Sequence, residues 1–235
     1  MFVLAVDTAT PDAVVGVSAD GEPLREAQVP PRPDGKPNHA QVLLPEIDRS
    51  VDAAGGWERI DRIAVGIGPG SFTGLRIGIS TARALAQARK LAIAPVGSLA
   101  ALARGIARRD EEEGRAALGV IDARRGEVFA ALFDDGEQVW EPFVAPPQEL
   151  GNRLRDLDQP CLAAGDGALR FAAELESAGA TVATPDDPIH HLAARDVCTA
   201  GEAASEAPPD QIQPLYLRPP DAKRWLERDR SAPGG

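Results

Sequence analysis

The chain has 235 residues, of which 43% are apolar and only 4% are aromatic. This length can bury a core without disulfides or a structural metal, and that core must consist mainly of Ala, Val, Leu and Ile. The net charge of −11 excludes tight unaided binding to nucleic acid, because phosphate contacts need clustered Lys and Arg. The densest basic set lies in the tail and consists of Lys223, Arg224, Arg228 and Arg230.

The first 54 residues predict a three-stranded meander followed by a helix. Strands are expected at 2–6, 14–18 and 24–29, with the turn Asp20-Gly21 joining the last two. The prolines between residues 30 and 37 indicate an irregular loop. Apolar residues at three- and four-residue steps then predict a helix from His39 to Ala54, which two glycines end.

Residues 63–113 predict two further strand–helix pairs and a link. Strands are expected at 63–67 and 91–96, and helices at 75–89 and 98–108. Ser98 is expected to cap the second of these helices, since a serine hydroxyl can accept a bond from a free helical N–H. The acidic run at 110–113 indicates a solvated link.

The second half repeats this order more loosely. It predicts strands at 117–121, 128–133, 138–144 and 161–164, and helices at 147–157, 168–177 and 192–204. Two α/β units that each begin with a hairpin predict a duplicated fold. The expected domains are a first lobe of residues 1–106 with about 200–225, a second, smaller lobe of residues 107–199, and a disordered tail at 226–235.

Three segments could contact a nucleotide. Asp7 and Thr8 follow the first strand, where a carboxylate and a hydroxyl can meet phosphate or magnesium; a turn with local hydrogen bonds is the alternative. Residues 66–76 run from a strand into a helix, as phosphate loops do. They match neither a Walker loop nor a dinucleotide loop, so we prefer a tight turn. The third segment, which could equally cap a helix, is Gly165, Asp166 and Gly167.

The helix after the glycine-rich loop carries small residues in two rows. One row is Gly74, Gly78, Ala82 and Ala86, and the other is Ser80, Ala84 and Ala88. Small residues in a row allow another element to approach closely, and the largely apolar circumference predicts a helix covered on all sides. One row can meet the chain's own sheet and the other a partner helix. Burial of both rows within the chain is the alternative.

Neither a metal site nor an activated nucleophile is evident. The three histidines form no His-Glu-x-x-His pattern, and no Gly-x-Ser-x-Gly is present. Cys161 and Cys198 are expected to be free thiols, as in a reducing cytosol. Because no signal peptide and no apolar run of membrane-spanning length are seen, a cytoplasmic protein is expected.

Five segments together resemble the TsaB family, also called YeaZ. They are residues 7–10, 38–45, 66–78, 122–129 and 215–218, and the string Gly-Pro-Gly-Ser-Phe-Thr-Gly-Leu-Arg at 68–76 is the most specific. The resemblance implies an α/β fold of the actin-like (ASKHA, RNase H-like) class, with two lobes that each hold a mixed sheet flanked by helices. It also implies a role in installing threonylcarbamoyl on adenosine 37 of tRNA, which gives threonylcarbamoyladenosine (t6A).

The same resemblance implies partners. They are TsaD, which is the catalytic transferase, TsaE, which is an ATPase, and a second copy of the chain in a homodimer. Transfer RNA would be reached only through the complex, and no membrane is involved. The expected TsaD face combines the helices predicted at 39–54 and 75–89, with contacts from Leu43, Leu44, Ile47, Gly74, Gly78 and Ala82.

One departure from TsaD bears on catalysis. In TsaD a His-x-x-x-His pair holds a metal, and we place those positions near Ser98 and Leu102, which cannot form that site. The chain is thus expected to be a non-catalytic assembly subunit that binds no metal and no cofactor tightly alone, with any ATP or ADP at a shared interface. The alternatives are an ATP-dependent small-molecule kinase, which needs a general base near the phosphates, and a peptidase, for which no residue set is present.

Overall fold

The computed structural model describes residues 1–111 and 113–218, and two five-stranded mixed sheets dominate it. Sheet A holds β1 (Phe2–Asp7), β2 (Ala13–Ala19), β3 (Glu22–Val29), β4 (Arg62–Gly68) and β5 (Ala92–Gly97). Sheet B holds β6 (Ala116–Arg124), β7 (Glu127–Asp134), β8 (Glu137–Ala145), β9 (Cys161–Ala164) and β10 (Thr181–Val182). The tail predicted to be disordered, 226–235, lies outside the described residues.

Seven helices flank the sheets in the described part of the chain. They are α1 (His39–Ala54), α2 (Phe72–Arg89), α3 (Ser98–Arg109), α4 (Pro147–Arg155), α5 (Asp166–Arg170), α6 (Ala172–Ser177) and α7 (Ala194–Ala203). Short 3-10 helices lie at Trp57–Arg59, Pro188–His190 and Pro209–Gln211. None of the helices between residues 1 and 218, residue 112 aside, has the combined length and hydrophobicity needed to cross a bilayer.

The two sheets share one topology, which confirms the predicted duplication. Sheet A has the order β3-β2-β1-β4-β5, and sheet B, read from the corresponding edge, has the order β8-β7-β6-β9-β10. In each sheet the first three strands pair antiparallel, and the fourth lies parallel to the first on its other side. The central strands β1 and β6 are therefore covered on both faces, which explains their nearly unbroken apolar sequence.

Two matching hairpin turns join the second and third strands of the duplicated units. Asp20 and Gly21 have φ angles of 51° and 83°, and Asp135 and Gly136 have φ angles of 46° and 80°. Both pairs occupy the left-handed region that a two-residue hairpin turn requires, and Asp-Gly adopts this region readily. The Asp20-Gly21 turn sets the register of β3 on β2, in which Ala19 pairs with Glu22.

The last helix of each unit packs on the other unit's sheet. α3 lies against β6 and β7, whereas α7 lies against β1, β2 and β4. Two glycines allow α7 to approach closely: a Cβ on Gly16 would overlap Ala194, and a Cβ on Gly201 would overlap Ala64. The lobe boundary predicted after residue 199 lies inside α7, which packs on the first sheet and on α3. One hydrophobic cluster runs across both sheets through this pair of helices.

Most predicted elements are present, with four local differences. α2 begins at Phe72, three residues before the predicted start, because Ser71 caps it by accepting the Gly74 N–H at 3.3 Å. The helix predicted at 168–177 is divided at Phe171. β10 was not predicted, since its two residues show no alternation. Asp110 is 5% exposed rather than solvated, because it accepts the Arg115 Nε–H at 3.0 Å.

Candidate functional site

Asp7 ends β1 and is sealed inside the first lobe. Its Oδ1 accepts the Ala9 N–H at 2.7 Å, and its Oδ2 accepts the Ser98 hydroxyl at 2.7 Å. A Cβ on Gly66 would overlap the carboxylate, so glycine is required there. Asp7 is 1% exposed, and burial raises the pKa of its carboxyl group. Ser98 is the first residue of α3, and Gly97 holds the N-cap position. The prediction that Ser98 caps this helix was therefore wrong, because its hydroxyl is bonded to Asp7.

Thr8 explains the first row of small residues. Its buried hydroxyl donates to the Gly74 carbonyl at 2.8 Å. A Cβ on Gly74 would overlap the Thr8 carbonyl oxygen, and a Cβ on Gly78 would overlap Thr8 Oγ1. The glycines therefore let α2 lie directly on the end of β1. This contact supports the interpretation of the glycine-rich loop as a tight turn.

Burial in the isolated chain divides the six residues predicted to contact TsaD. Of the six residues placed on the TsaD face, Leu44 is exposed, at 53%. The others are buried within the chain, where they pack against its own strands and helices: Leu43, Ile47, Gly74, Gly78 and Ala82. A leucine at Gly78 would therefore overlap Thr8 and disrupt the isolated fold.

The second row of small residues is the open one. We define the α2 outer face as the exposed residues Arg76, Ser80, Ala84, Gln87 and Ala88. A surface groove of about 490 Å³ lies between this face and the turn at Pro209 and Asp210. Small side chains at its centre leave room for a side chain or helix from another molecule. α1 packs beside α2 and exposes Leu44.

A cleft of about 380 Å³ separates the two lobes. It is lined by the turn after β1, the start of α2, the β6–β7 turn and residues 215–218. Asp166 lies in the cleft wall, where its Oδ1 accepts the Asp122 N–H at 2.9 Å. Burial raises the pKa of Asp166. Gly165 and Gly167 both pack against the end of β6, where added Cβ atoms would meet the backbone of residues 120–122.

The residues predicted to contact a nucleotide are occupied by internal bonds. Asp7 and Thr8 are committed to Ser98 and Gly74, while Asp166 is committed to the Asp122 backbone. A magnesium–nucleotide complex needs carboxylate and hydroxyl oxygens that reach the cleft. The buried side chains of Asp7 and Thr8 do not supply them, whereas Asp166 lines the cleft. Within residues 1–111 and 113–218, no group of three or more His, Cys, Asp and Glu residues could hold a metal ion.

Two histidine contacts were not foreseen from the sequence. His190 is buried, and its Nδ1 lies 3.2 Å from the Gly165 nitrogen, so it supports the turn that faces the cleft. His191 contacts Asp12 with an Nδ1–Oδ2 distance of 2.7 Å and thereby links the start of α7 to the β1–β2 turn. The hydrogen bond to Asp12 raises the pKa of His191. Neither pairing has a local sequence signal, since both join distant segments.

Known proteins resemble this chain over most of its length. The family model of TsaD, tRNA N6-adenosine threonylcarbamoyltransferase, matches residues 31–205. The tRNA threonylcarbamoyladenosine biosynthesis protein TsaB of Escherichia coli (strain K12) is 33% identical over 173 residues, which cover 71% of this chain and 72% of that protein. TsaB of Haemophilus influenzae is 29% identical over 232 residues, which cover 93% and 94%.

Solved structures give the same result for the fold. YeaZ from Pseudomonas aeruginosa is 30% identical with a TM-score of 0.72, and the match covers 92% of this chain and 99% of that one. A ROK hexokinase from Thermus thermophilus is 13% identical with a TM-score of 0.53, over 86% of this chain and 99% of that one. The second likeness concerns the fold alone and confirms the actin-like architecture. The chain belongs to the TsaB (YeaZ) family.

Proposed function

We propose that this chain takes part in t6A biosynthesis as a non-catalytic assembly subunit that binds TsaD through the α2 outer face. Relatives that share 28–33% of its residues are described as t6A biosynthesis proteins. The observation that carries the proposal is the contrast between the two rows of α2. Gly74 and Gly78 of the first row pack against the end of β1, whereas Ser80 and Ala84 of the second row are exposed and line a groove.

The chemistry of the cleft supports a non-catalytic role. An enzyme of this fold needs a base or magnesium ligand that reaches the phosphates. The sequence suggests Asp7 for that task, but Asp7 is 1% exposed and both of its carboxylate oxygens accept internal hydrogen bonds. The kinase alternative therefore loses Asp7 as its candidate residue. ATP or ADP, if it takes part, is expected at an interface that a partner completes.

The charge of the chain supports the proposed partners. A net charge of −11 disfavours direct contact with tRNA, since each phosphate contact needs a cation. TsaD is expected to supply the catalytic site, and TsaE is expected to join the assembled pair in the cytoplasm. A second copy of this chain would use the same α2 outer face, so the homodimer and the TsaD complex are expected to exclude each other.

Ala84→Arg tests the proposed face. The new side chain points into the groove, and we expect binding to purified TsaD to weaken at least about ten-fold, as for a disrupted interface centre. Ala173→Arg, an equally exposed alanine on α6 of the second lobe, is the matched control and should bind TsaD normally. Isothermal calorimetry measures both affinities, and circular dichroism checks the fold. Unchanged affinity for a well-folded Ala84→Arg variant would contradict the proposal.

A further inference from the structure

Residues 214–218, which we call the clamp, cross from one lobe to the other beside the cleft. The preceding chain is fixed to sheet A, because the Ala207 N–H donates to the Ile93 carbonyl at 2.9 Å and Ile212 is buried in the core of the first lobe. The clamp itself begins on that lobe, where the Leu215 N–H donates to the Ile67 carbonyl at 2.8 Å.

The other end of the clamp is held by the second lobe. Arg218 donates to the Ala123 carbonyl at 2.6 Å and forms an ion pair with Glu127, so it grips the β6–β7 turn from two sides. Its side chain is only 17% exposed, which strengthens a charge-assisted bond relative to one in open water. Leu217, between the two ends, packs against the hydrophobic cluster that spans both sheets.

The middle of the clamp reaches α2. The Tyr216 ring lies 5.1 Å from the Phe72 ring, centroid to centroid, and the Arg76 guanidinium lies 3.9 Å from the Phe72 centroid on α2. Arg76 Nε also donates to the Tyr216 hydroxyl at 3.3 Å. Because Arg76 belongs to the α2 outer face, the clamp, the first turn of α2 and that face form one continuous packed unit.

We propose that the clamp holds the two lobes closed across the cleft, in the place where two-lobed proteins are commonly closed by a bound ligand. The anchor at Arg218 lies three residues after the anchor at Leu215 in the sequence. An extended chain of that length spans roughly 10 Å, so the cleft cannot open further at this edge unless one anchor breaks. The clamp thus holds the lobes closed without a bound ligand. Through its contacts with Phe72 and Arg76, it also fixes the position of the α2 outer face.

Distance measurements between the lobes test the proposal on the full chain. Spin labels at Asp52→Cys on α1 and Glu174→Cys on α6 report the separation by pulsed electron resonance, since the native thiols Cys161 and Cys198 are buried. Loss of the ion pair through Arg218→Gln or Glu127→Gln should broaden the distance distribution toward longer values. Amide exchange at Leu215 should become roughly ten-fold faster, as expected when local opening costs less.

Arg124→Gln is the matched control. Arg124 also lines the cleft, but it pairs with Asp122 of its own lobe at 3.0 Å, so the interlobe distance should remain that of the parent. The double variant with Arg218→Gln and Glu127→Gln should open no further than Arg218→Gln alone, because Arg218→Gln already removes the ion pair with Glu127. Unchanged distances and unchanged Leu215 exchange in both single variants would overturn the proposal, as would equal opening in the control.

Discussion

The Gly78→Ala variant tests the close contact between α2 and the end of β1. In an ordinary helix interior this change stabilises by about 1 kcal/mol. Here the new methyl group would overlap Thr8 Oγ1, which donates to the Gly74 carbonyl at 2.8 Å. Overpacking costs roughly 1–3 kcal/mol, and the displaced hydrogen bond costs about 1 kcal/mol more. The expected net loss in the free energy of unfolding is therefore about 1–3 kcal/mol.

Urea denaturation measures this loss, with two companion variants. Ala84→Arg on the exposed side of α2 should stay within about 0.5 kcal/mol of the parent. Thr8→Ala removes the overlapped oxygen, so the double variant with Gly78→Ala should be destabilised by less than the sum of the two single changes. A Gly78→Ala variant as stable as the parent, or strict additivity in the double variant, would refute the assignment of the glycine row to β1.

Two further predictions concern titratable groups. Since Asp12 raises the folded-state pKa of His191, that contact should stabilise the protein fully below about pH 6.5 and lose its effect as the pH rises through the folded-state pKa. His191→Asn should therefore lower the free energy of unfolding by at most about 1 kcal/mol, because the pair is half-exposed, and the loss should be confined to low pH. Urea denaturation at several pH values measures this loss. A loss that grows as the pH rises would contradict the prediction. Burial raises the pKa values of Cys161 and Cys198 to about 11. Alkylation of these thiols at neutral pH should therefore require unfolding of the native protein. Rapid labelling in the absence of denaturant would contradict this prediction.

The fold was largely predictable because its signals are local. Asp-Gly turns, apolar strands and the three- and four-residue spacing of α1 each depend on neighbouring residues alone. The exchange of α3 and α7 between the sheets was not predictable, because it depends on Gly16 and Gly201 meeting residues far away in the sequence. For the same reason the predicted lobe boundary at residue 199 fell inside α7.

The candidate site was only partly predictable, for a related reason. The sequence showed two rows of small residues on α2, and either could have faced outward. What decides between them is the Thr8 side chain, which fills the space beside Gly74 and Gly78. Asp7 likewise has the residue type and position of a magnesium ligand. Only its hydrogen bond with Ser98 shows that the carboxylate is part of the buried core.

The most direct test of the non-catalytic assignment is t6A formation by the reconstituted complex that contains the Asp7→Asn variant. Asparagine keeps the shape of a side chain that burial already biases toward the neutral form, so we expect the variant to fold, to bind TsaD and to support the parent rate within about two-fold, a change of less than 1 kcal/mol. If the assembled complex instead lost roughly a hundred-fold or more in rate, as removal of a catalytic group does, Asp7 would take part in the chemistry and the central claim would be wrong.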